Sequence, residues 1–205
     1  MPPARAVVFD IGGVLVDWNP RYLYRQLFKD PLEMERFLGT ICTPAWNAQM
    51  DAGLPFFDAT ARLAARYPDH KRLIDAYRTR WPEMVRDALW ETVRVLDDLH
   101  AAGVPLFALT NFSAETWPLM AARFNFIRHF EDVVVSGQER VIKPDPHIYE
   151  ILMVRSNRKA PDLTFIDDNA ENVSAARRLG IDGILFTTAA ALRTALAARG
   201  FGGLT

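Results

Sequence analysis

The residues of this chain that could do chemistry stand directly behind its apolar runs. The first run, Ala6-Val7-Val8-Phe9, stops on Asp10 and turns on Gly12 and Gly13. A second, over residues 106–109, ends in Thr110-Asn111; a third, 133–135, is followed by Lys143-Pro144; and a fourth, 163–166, ends in Asp167-Asp168-Asn169. A carboxylate ionised at neutral pH can attack phosphorus as a nucleophile. Phosphoryl transfer then calls for groups that offset the charge on the transferring oxygens. Lys143 brings a fixed positive charge and the Thr110 hydroxyl a hydrogen-bond donor. Asp10, Asp168 and a main-chain carbonyl make an oxygen set suited to Mg²⁺. Taken singly, each cluster has a plainer use. Asp-x-Gly-Gly and Thr-Asn are common turn or N-cap sequences, Asp-Asp-Asn suits a helix N-terminus, and Lys-Pro is ordinary surface punctuation.

A parallel sheet would bring these clusters together. Short apolar runs bounded by turn residues suit strands covered on both faces, and a further run lies at 183–186. Helical patterns lie between them: one carries Val93, Leu96, Leu99 and His100 before Gly103, and others cover 114–124, 146–155, 170–179 and 189–198. Alternation of this kind predicts an α/β fold with a doubly wound parallel sheet. Ligands in such sheets sit at the carboxyl ends of the strands, so the clusters should converge on one rim.

Between residues 17 and 90 the alternation is lost. Short helices are expected at 22–28, 32–38, 55–67 and 71–80, punctuated by prolines and Gly53. The chain therefore reads as an α/β core, residues 1–16 and 91–205, with a helical cap inserted at 17–90. Because the insert leaves from the strand end that carries Asp10, it should lie over the rim. Trp18, Trp46 and Gln49 are its expected substrate contacts, with Asn47 and Asp51 from the presumed loop before Gly53, and Arg21 and Arg25 in the same group. The competing use of its aromatic residues is to form the core of a small helical unit.

Composition narrows the function classes. A chain of 205 residues can build one sizeable core plus a small insert. Its 24 Lys and Arg against 25 Asp and Glu create no global field toward nucleic acid or an anionic membrane, and neither is expected as a partner. The single Cys42 has no partner for a disulfide and no zinc-site spacing, which fits a structural thiol. No apolar run approaches membrane-spanning length. The start, Met1-Pro2-Pro3-Ala4-Arg5, runs into the first strand without an apolar leader, so a cytoplasmic location is expected, with a tail over 202–205 that frays. There is no Gly-x-Ser-x-Gly for a serine hydrolase and no dinucleotide fingerprint after the first strand.

With all four clusters in order, the chain resembles the haloacid dehalogenase superfamily of hydrolases, in its subclass with a helical cap. Phe9-Asp10-Ile11-Gly12-Gly13-Val14 resembles the first motif of that superfamily, Leu109-Thr110-Asn111 the second, Lys143-Pro144 the third and Ile166-Asp167-Asp168-Asn169 the fourth. The resemblance implies that Asp10 is the nucleophile and a metal ligand. It implies that Thr110 and Lys143 bind the phosphate, that Asn111 serves it by lining the site or positioning the loop, and that Asp168 and the Gly12 carbonyl hold Mg²⁺, with Asp167 acting through water. The implied activity is a Mg²⁺-dependent phosphatase of small phosphorylated metabolites, sugar phosphates among them, working as a monomer or homodimer. One position departs from the pattern. The superfamily's standard phosphatases carry a second Asp, the general acid and base, where this chain has Gly12, and such catalysis is typically worth about 10² to 10⁴-fold. A good leaving group, slow turnover or a substitute acid must account for the gap, and Asp17 is the nearest carboxylate downstream. The alternatives are a 2-haloacid dehalogenase, whose members resemble one another in an aromatic residue at the Gly12 position, and a catalytically weakened phosphate-binding regulatory protein.

Overall fold

The apolar runs pair as one parallel sheet. In the computed structural model, which describes residues 5–202, the strands are β1 (Ala6–Phe9), β2 (Val16–Trp18), β3 (Val85–Ala88), β4 (Leu106–Thr110), β5 (Asp132–Val135), β6 (Leu163–Asp167) and β7 (Asp182–Leu185). Five of them form the main sheet in the order β5-β4-β1-β6-β7, and every pairing in it is parallel. The chain winds outward from β1 on one side, then returns to wind outward on the other. The central strand is thus the one that ends on Asp10, at the switch point where ligands bind in such sheets.

Alternate residues of each strand enter different cores, because side chains along a strand point to opposite faces. Val7, Phe9, Ala108 and Ile166 join Leu96, Leu99, Leu192 and Leu196 of the helices α6 (Trp90–Ala101) and α11 (Ala189–Ala197). Val8, Phe107, Leu109 and Phe165 join Tyr149, Leu152 and Ala176 of α9 (Pro146–Ser156) and α10 (Ala170–Arg178). Both faces are covered, as the unbroken apolar runs require. Asn169 caps α10 through its side chain and Asp145 caps α9, so the fourth motif both ends a strand and starts a helix.

The inserted segment carries α1 (Arg21–Tyr24), α2 (Pro31–Thr40), α3 (Pro44–Asp51), α4 (Phe56–Arg66) and α5 (Lys71–Thr79). Its core is aromatic: Tyr24 packs on Phe37 at 5.1 Å and Trp46 edge-on to Tyr77 at 4.9 Å. Within the inserted segment and its two connections the structure departs from the sequence reading in three places. The helix expected over 22–28 is the single turn α1. The stretch expected as a loop before Gly53 is the helix α3, started by Thr43, whose hydroxyl accepts from the Trp46 amide, and by Pro44 at the first helical position. The chain's exit from and re-entry to the core are β2 and β3, which pair antiparallel to each other as a two-stranded ribbon. Two helices of the core complete the set: α7 (Trp117–Arg123), shorter than the expected 114–124, and the one-turn α8 (Ser136–Glu139). No helix among the described residues is long and apolar enough to cross a membrane. The first residues, 1–4, and most of the tail expected to fray, 203–205, lie outside the described residues.

Candidate active site

Lys143 is the hinge of the rim. Its side chain is fully buried, and its Nζ lies 2.9 Å from the Leu109 carbonyl oxygen, 2.7 Å from Asp167 Oδ2 and 3.0 Å from Asp10 Oδ2. Burial works against its charge, but the two carboxylates outweigh burial and raise its pKa, so the ammonium persists. Lys143 follows the expected third motif, and its peptide bond to Pro144 is cis. Asn111 grips its main chain: Asn111 Nδ2 donates to the Lys143 carbonyl at 3.0 Å and the Lys143 amide donates to Asn111 Oδ1 at 2.8 Å. Asn111, expected to serve the phosphate or position its loop, uses both ends of its carboxamide to hold the Lys143 main chain and also lines the cavity over the rim.

Asp167 closes the far side. It is completely buried and accepts from Lys143, from Asn172 Nδ2 at 3.1 Å on both oxygens, and from the Asn169 amide at 2.8 Å. Its oxygens are thereby committed to holding the lysine and the turn. Asp10 is buried at the tip of β1, with its Oδ1 accepting from the Ile11 amide at 2.7 Å. Burial pushes its carboxyl up to about 7, Lys143 pulls it down and Asp167 pushes it up again. Asp168 is the exposed member of the trio, and burial of part of its carboxyl together with Asp167 raises its pKa. One oxygen from each of Asp10, Asp167 and Asp168 lies within 4.8 Å of the others.

This trio fits a hard dication. Three carboxylates share one lysine, which leaves negative charge uncompensated in a buried place. Oxygen donors at this spacing suit Mg²⁺. The Gly12-Gly13 turn makes room for the third carboxylate: a Cβ on Gly13, whose φ is +74°, would stand 2.3 Å from Asp168 Oδ2. Only glycine is tolerated there, both for its φ and for the approach of Asp168. Gly12 differs. A Cβ at Gly12 meets nothing within 4 Å and its backbone is in an ordinary region, so the fold does not require glycine at the position of the missing acid.

Thr110, last residue of β4, is buried and its Oγ1 has no hydrogen-bond partner. A buried unpaired hydroxyl costs roughly 1–3 kcal/mol, so an acceptor belongs beside it. Over the rim lies a cavity of about 80 Å³ whose lining includes Gly12, Asn111 and Thr116 from the core and Trp18, Asn47 and Asp51 from the inserted segment. Trp18 Nε1 and Thr116 Oγ1 are also buried without partners. Trp18 and Asn47 further line a second cavity of about 410 Å³, bounded by Leu38, Cys42, Pro44 and Tyr77.

A sequence model of haloacid dehalogenase-like hydrolases matches residues 4–180. The chain belongs to that family. Among its relatives is the sesquiterpene phosphatase astK of Aspergillus oryzae, 27% identical over 185 residues that span 89% of this chain and 90% of the relative. Another is (S)-2-haloacid dehalogenase 1 of a Pseudomonas species, 24% identical over 198 residues, 89% of this chain and 84% of the relative. In three dimensions the chain resembles the HAD family enzyme bt-2542 of Bacteroides thetaiotaomicron, with a TM-score of 0.72 and 19% identity, covering 90% of this chain and 94% of that one.

Not every expected contact of this haloacid dehalogenase-like hydrolase reaches the cavity. Trp46 is buried inside the inserted helices against Tyr77 and is absent from the cavity lining, because the helical register of α3 turns it inward. Gln49 is exposed, and it too is absent from that lining. Arg21 forms a two-bond pair with Glu35 at 2.6 Å on the second cavity, and Arg25 is exposed. Asp17, the nearest carboxylate after Gly12, accepts from the Tyr22 hydroxyl at 2.7 Å and does not line the cavity. Cys42 is buried, and burial pushes its thiol up to about 12, as suits a structural thiol. His147 stands on the first turn of α9 with its ring beside Glu150, a helix-start role.

Proposed function

We propose that this chain is a Mg²⁺-dependent phosphatase of small phosphorylated metabolites, acting through an aspartyl phosphate on Asp10. The observation that carries this reading is the buried Lys143, held between Asp10 and Asp167 with Asp168 alongside. A fixed cation at the nucleophile, an unpaired donor at Thr110 and an acidic trio answer the needs of phosphoryl transfer.

Asp10, Asp168 and the Gly12 carbonyl would hold Mg²⁺, with Asp167 reaching it through water. Once bound, the ion offsets the repulsion between the phosphate and the Asp10 carboxylate. An Asp10 oxygen attacks phosphorus from below, and the bond to the leaving oxygen breaks on the opposite side. Lys143 Nζ and Thr110 Oγ1 hold the equatorial oxygens. Water then attacks the same phosphorus, frees inorganic phosphate and returns Asp10 as a carboxylate. The organic part of the substrate takes the cavity beneath the inserted helices, which act as the cap. Trp18 Nε1 and Thr116 Oγ1 await its polar atoms, and the second cavity leaves space for a longer tail. The phosphatase activity named for the Aspergillus relative supports this reading.

The second reading is a 2-haloacid dehalogenase, in which Asp10 would attack carbon, and it is favoured by the Pseudomonas relative. Against it stand Asp167 and Asp168, which repel a carboxylate substrate when no cation is bound. A panel of phosphorylated metabolites with Mg²⁺, with Asp10→Asn as the blank, separates the readings. Phosphate release that stops with chelator is expected. Halide release that persists in chelator would favour the dehalogenase, and no turnover of either kind would favour a phosphate-binding protein.

A further inference from the structure

The cavity lining holds, among the described residues, one carboxylic acid, and it comes from the cap. Asp51 ends α3 and shares the cavity with Gly12, the position where the superfamily's general acid is absent. We infer that Asp51 supplies the proton transfer that Gly12 cannot, an inference that rests on the phosphatase reading of the same site.

Three observations place Asp51 for this task. Its Oδ2 accepts from Asn47 Nδ2 at 2.8 Å, and Asn47 Oδ1 in turn accepts from the buried Tyr77 hydroxyl at 2.8 Å. One oxygen is thereby fixed. The other, Oδ1, has no hydrogen-bond partner among the described residues and is not among the fully buried unpaired atoms, and the residue lines the cavity. Its main chain is tied to the rim: Ser136 Oγ donates to the Asp51 carbonyl at 2.6 Å and accepts from the Phe112 amide at 2.9 Å, two residues beyond Thr110. Glu115 adds a second tie by accepting from the Phe56 amide at 2.9 Å. An acid attached to the cap but anchored to the phosphate loop keeps its place relative to phosphorus.

The side of approach also fits. In-line displacement puts the leaving oxygen on the face of phosphorus away from Asp10. The cavity that Asp51 lines also takes in Gly12 and Asn111, close neighbours in the chain of Asp10 and Thr110. The groups that act on the carboxyl are Lys143 from the rim, Tyr77 from α5 and Asn47 from α3 itself. Burial pushes the carboxyl up to about 7, against the pull of Lys143, so both protonation states are accessible near neutral pH. In the first step the Asp10–phosphorus bond forms, the phosphorus–oxygen bond to the alcohol breaks, and the Asp51 proton passes to the departing oxygen. In the second step Asp51 as carboxylate takes a proton from the attacking water. Phosphate leaves, Asp10 is regenerated as carboxylate and Asp51 as acid, and the sum is ester plus water to alcohol plus phosphate.

The test compares leaving groups. Asp51→Asn is isosteric and keeps a carbonyl for Asn47. The kcat/KM of an alkyl phosphate, which reports only the steps up to the aspartyl phosphate, should fall about 10²-fold while that of 4-nitrophenyl phosphate, whose leaving group needs no proton, falls less than about fivefold. In wild type, kcat/KM for the alkyl ester should fall above about pH 7 as Asp51 loses its proton, and this alkaline limb should vanish in Asp51→Asn. Adding Gly12→Asp to Asp51→Asn should restore alkyl turnover, since the Gly12 side has open space. Equal losses on the two esters, or no loss on either, would overturn the inference. If wild type turns over neither ester and forms no phosphorylated Asp10, the phosphatase reading itself fails and takes this inference with it.

Discussion

The rim and the cap bring chemistry to one cavity by opposite means. At the rim, groups of opposite charge are buried in contact: Lys143 between Asp10 and Asp167, with Asn111 and Asn172 filling their remaining bonds. Asp10, Asn111 and Asp167 sit at or just past strand ends, Asn172 stands on the first turn of α10, and Lys143, in the loop after α8, is held by Asn111. The cap offers neutral or weakly acidic groups instead: an unpaired indole on Trp18 and one carboxyl whose ionisation burial resists. Those residues are placed by short helices packed on an aromatic core and by a few hydrogen bonds to the rim. On the proposed reading, the rigid, charged site would perform the same step on many phosphates, while the mostly neutral cover would choose among their organic parts.

The largest test of that contrast is Lys143→Met. Two buried carboxylates lose their counterion, which costs about 3–5 kcal/mol in urea unfolding, and turnover falls roughly 10³-fold. The deficit should deepen as pH rises. An Asp10 carboxyl already lifted from 3.8 to about 7 in the folded chain keeps its proton where the unfolded chain has lost it, so stability falls as pH climbs through that window. A deficit against wild type that is no larger at pH 8 than at pH 4 would show that the lysine is not what holds the rim. Next is Thr110→Val, which removes the unpaired hydroxyl. Turnover should drop about 10²-fold while stability holds or rises by up to about 1 kcal/mol, a split that a merely structural threonine would not give. The smallest effect on chemistry is expected from Trp46→Ala. Emptying the cap core costs about 3–5 kcal/mol, yet kcat per folded molecule stays unchanged. A large rise in KM with stability intact would return Trp46 to the cavity.

The same contrast explains what could be read from the sequence. Asp10, Thr110, Lys143 and the Asp167-Asp168 pair were legible because a parallel strand buried on both faces is an unbroken apolar run, and its end is where the polar residues begin. What Asn111 and Asp167 do was not legible. Their partners on Lys143 lie 32 and 24 residues away in sequence, and only the packed sheet makes them neighbours. In the cap, β2 and β3 span three and four residues, too short to show a period. The helix α3 did leave a signal, Thr43 followed by Pro44, and reading it would have turned Trp46 into the core. Asp51 is expected at the cavity from its place before Gly53, as a substrate contact, but nothing local marks it as an acid. Its place on the cavity depends on Ser136, 85 residues on.

The central claim is that Asp10 carries the phosphoryl group. Wild-type enzyme mixed with Mg²⁺ and a reactive acyl phosphate, quenched in acid within its first turnovers, should yield a phosphorylated Asp10 peptide by mass spectrometry, absent in Asp10→Asn and absent with chelator. An unmodified Asp10 under conditions where phosphate is being released would contradict the account.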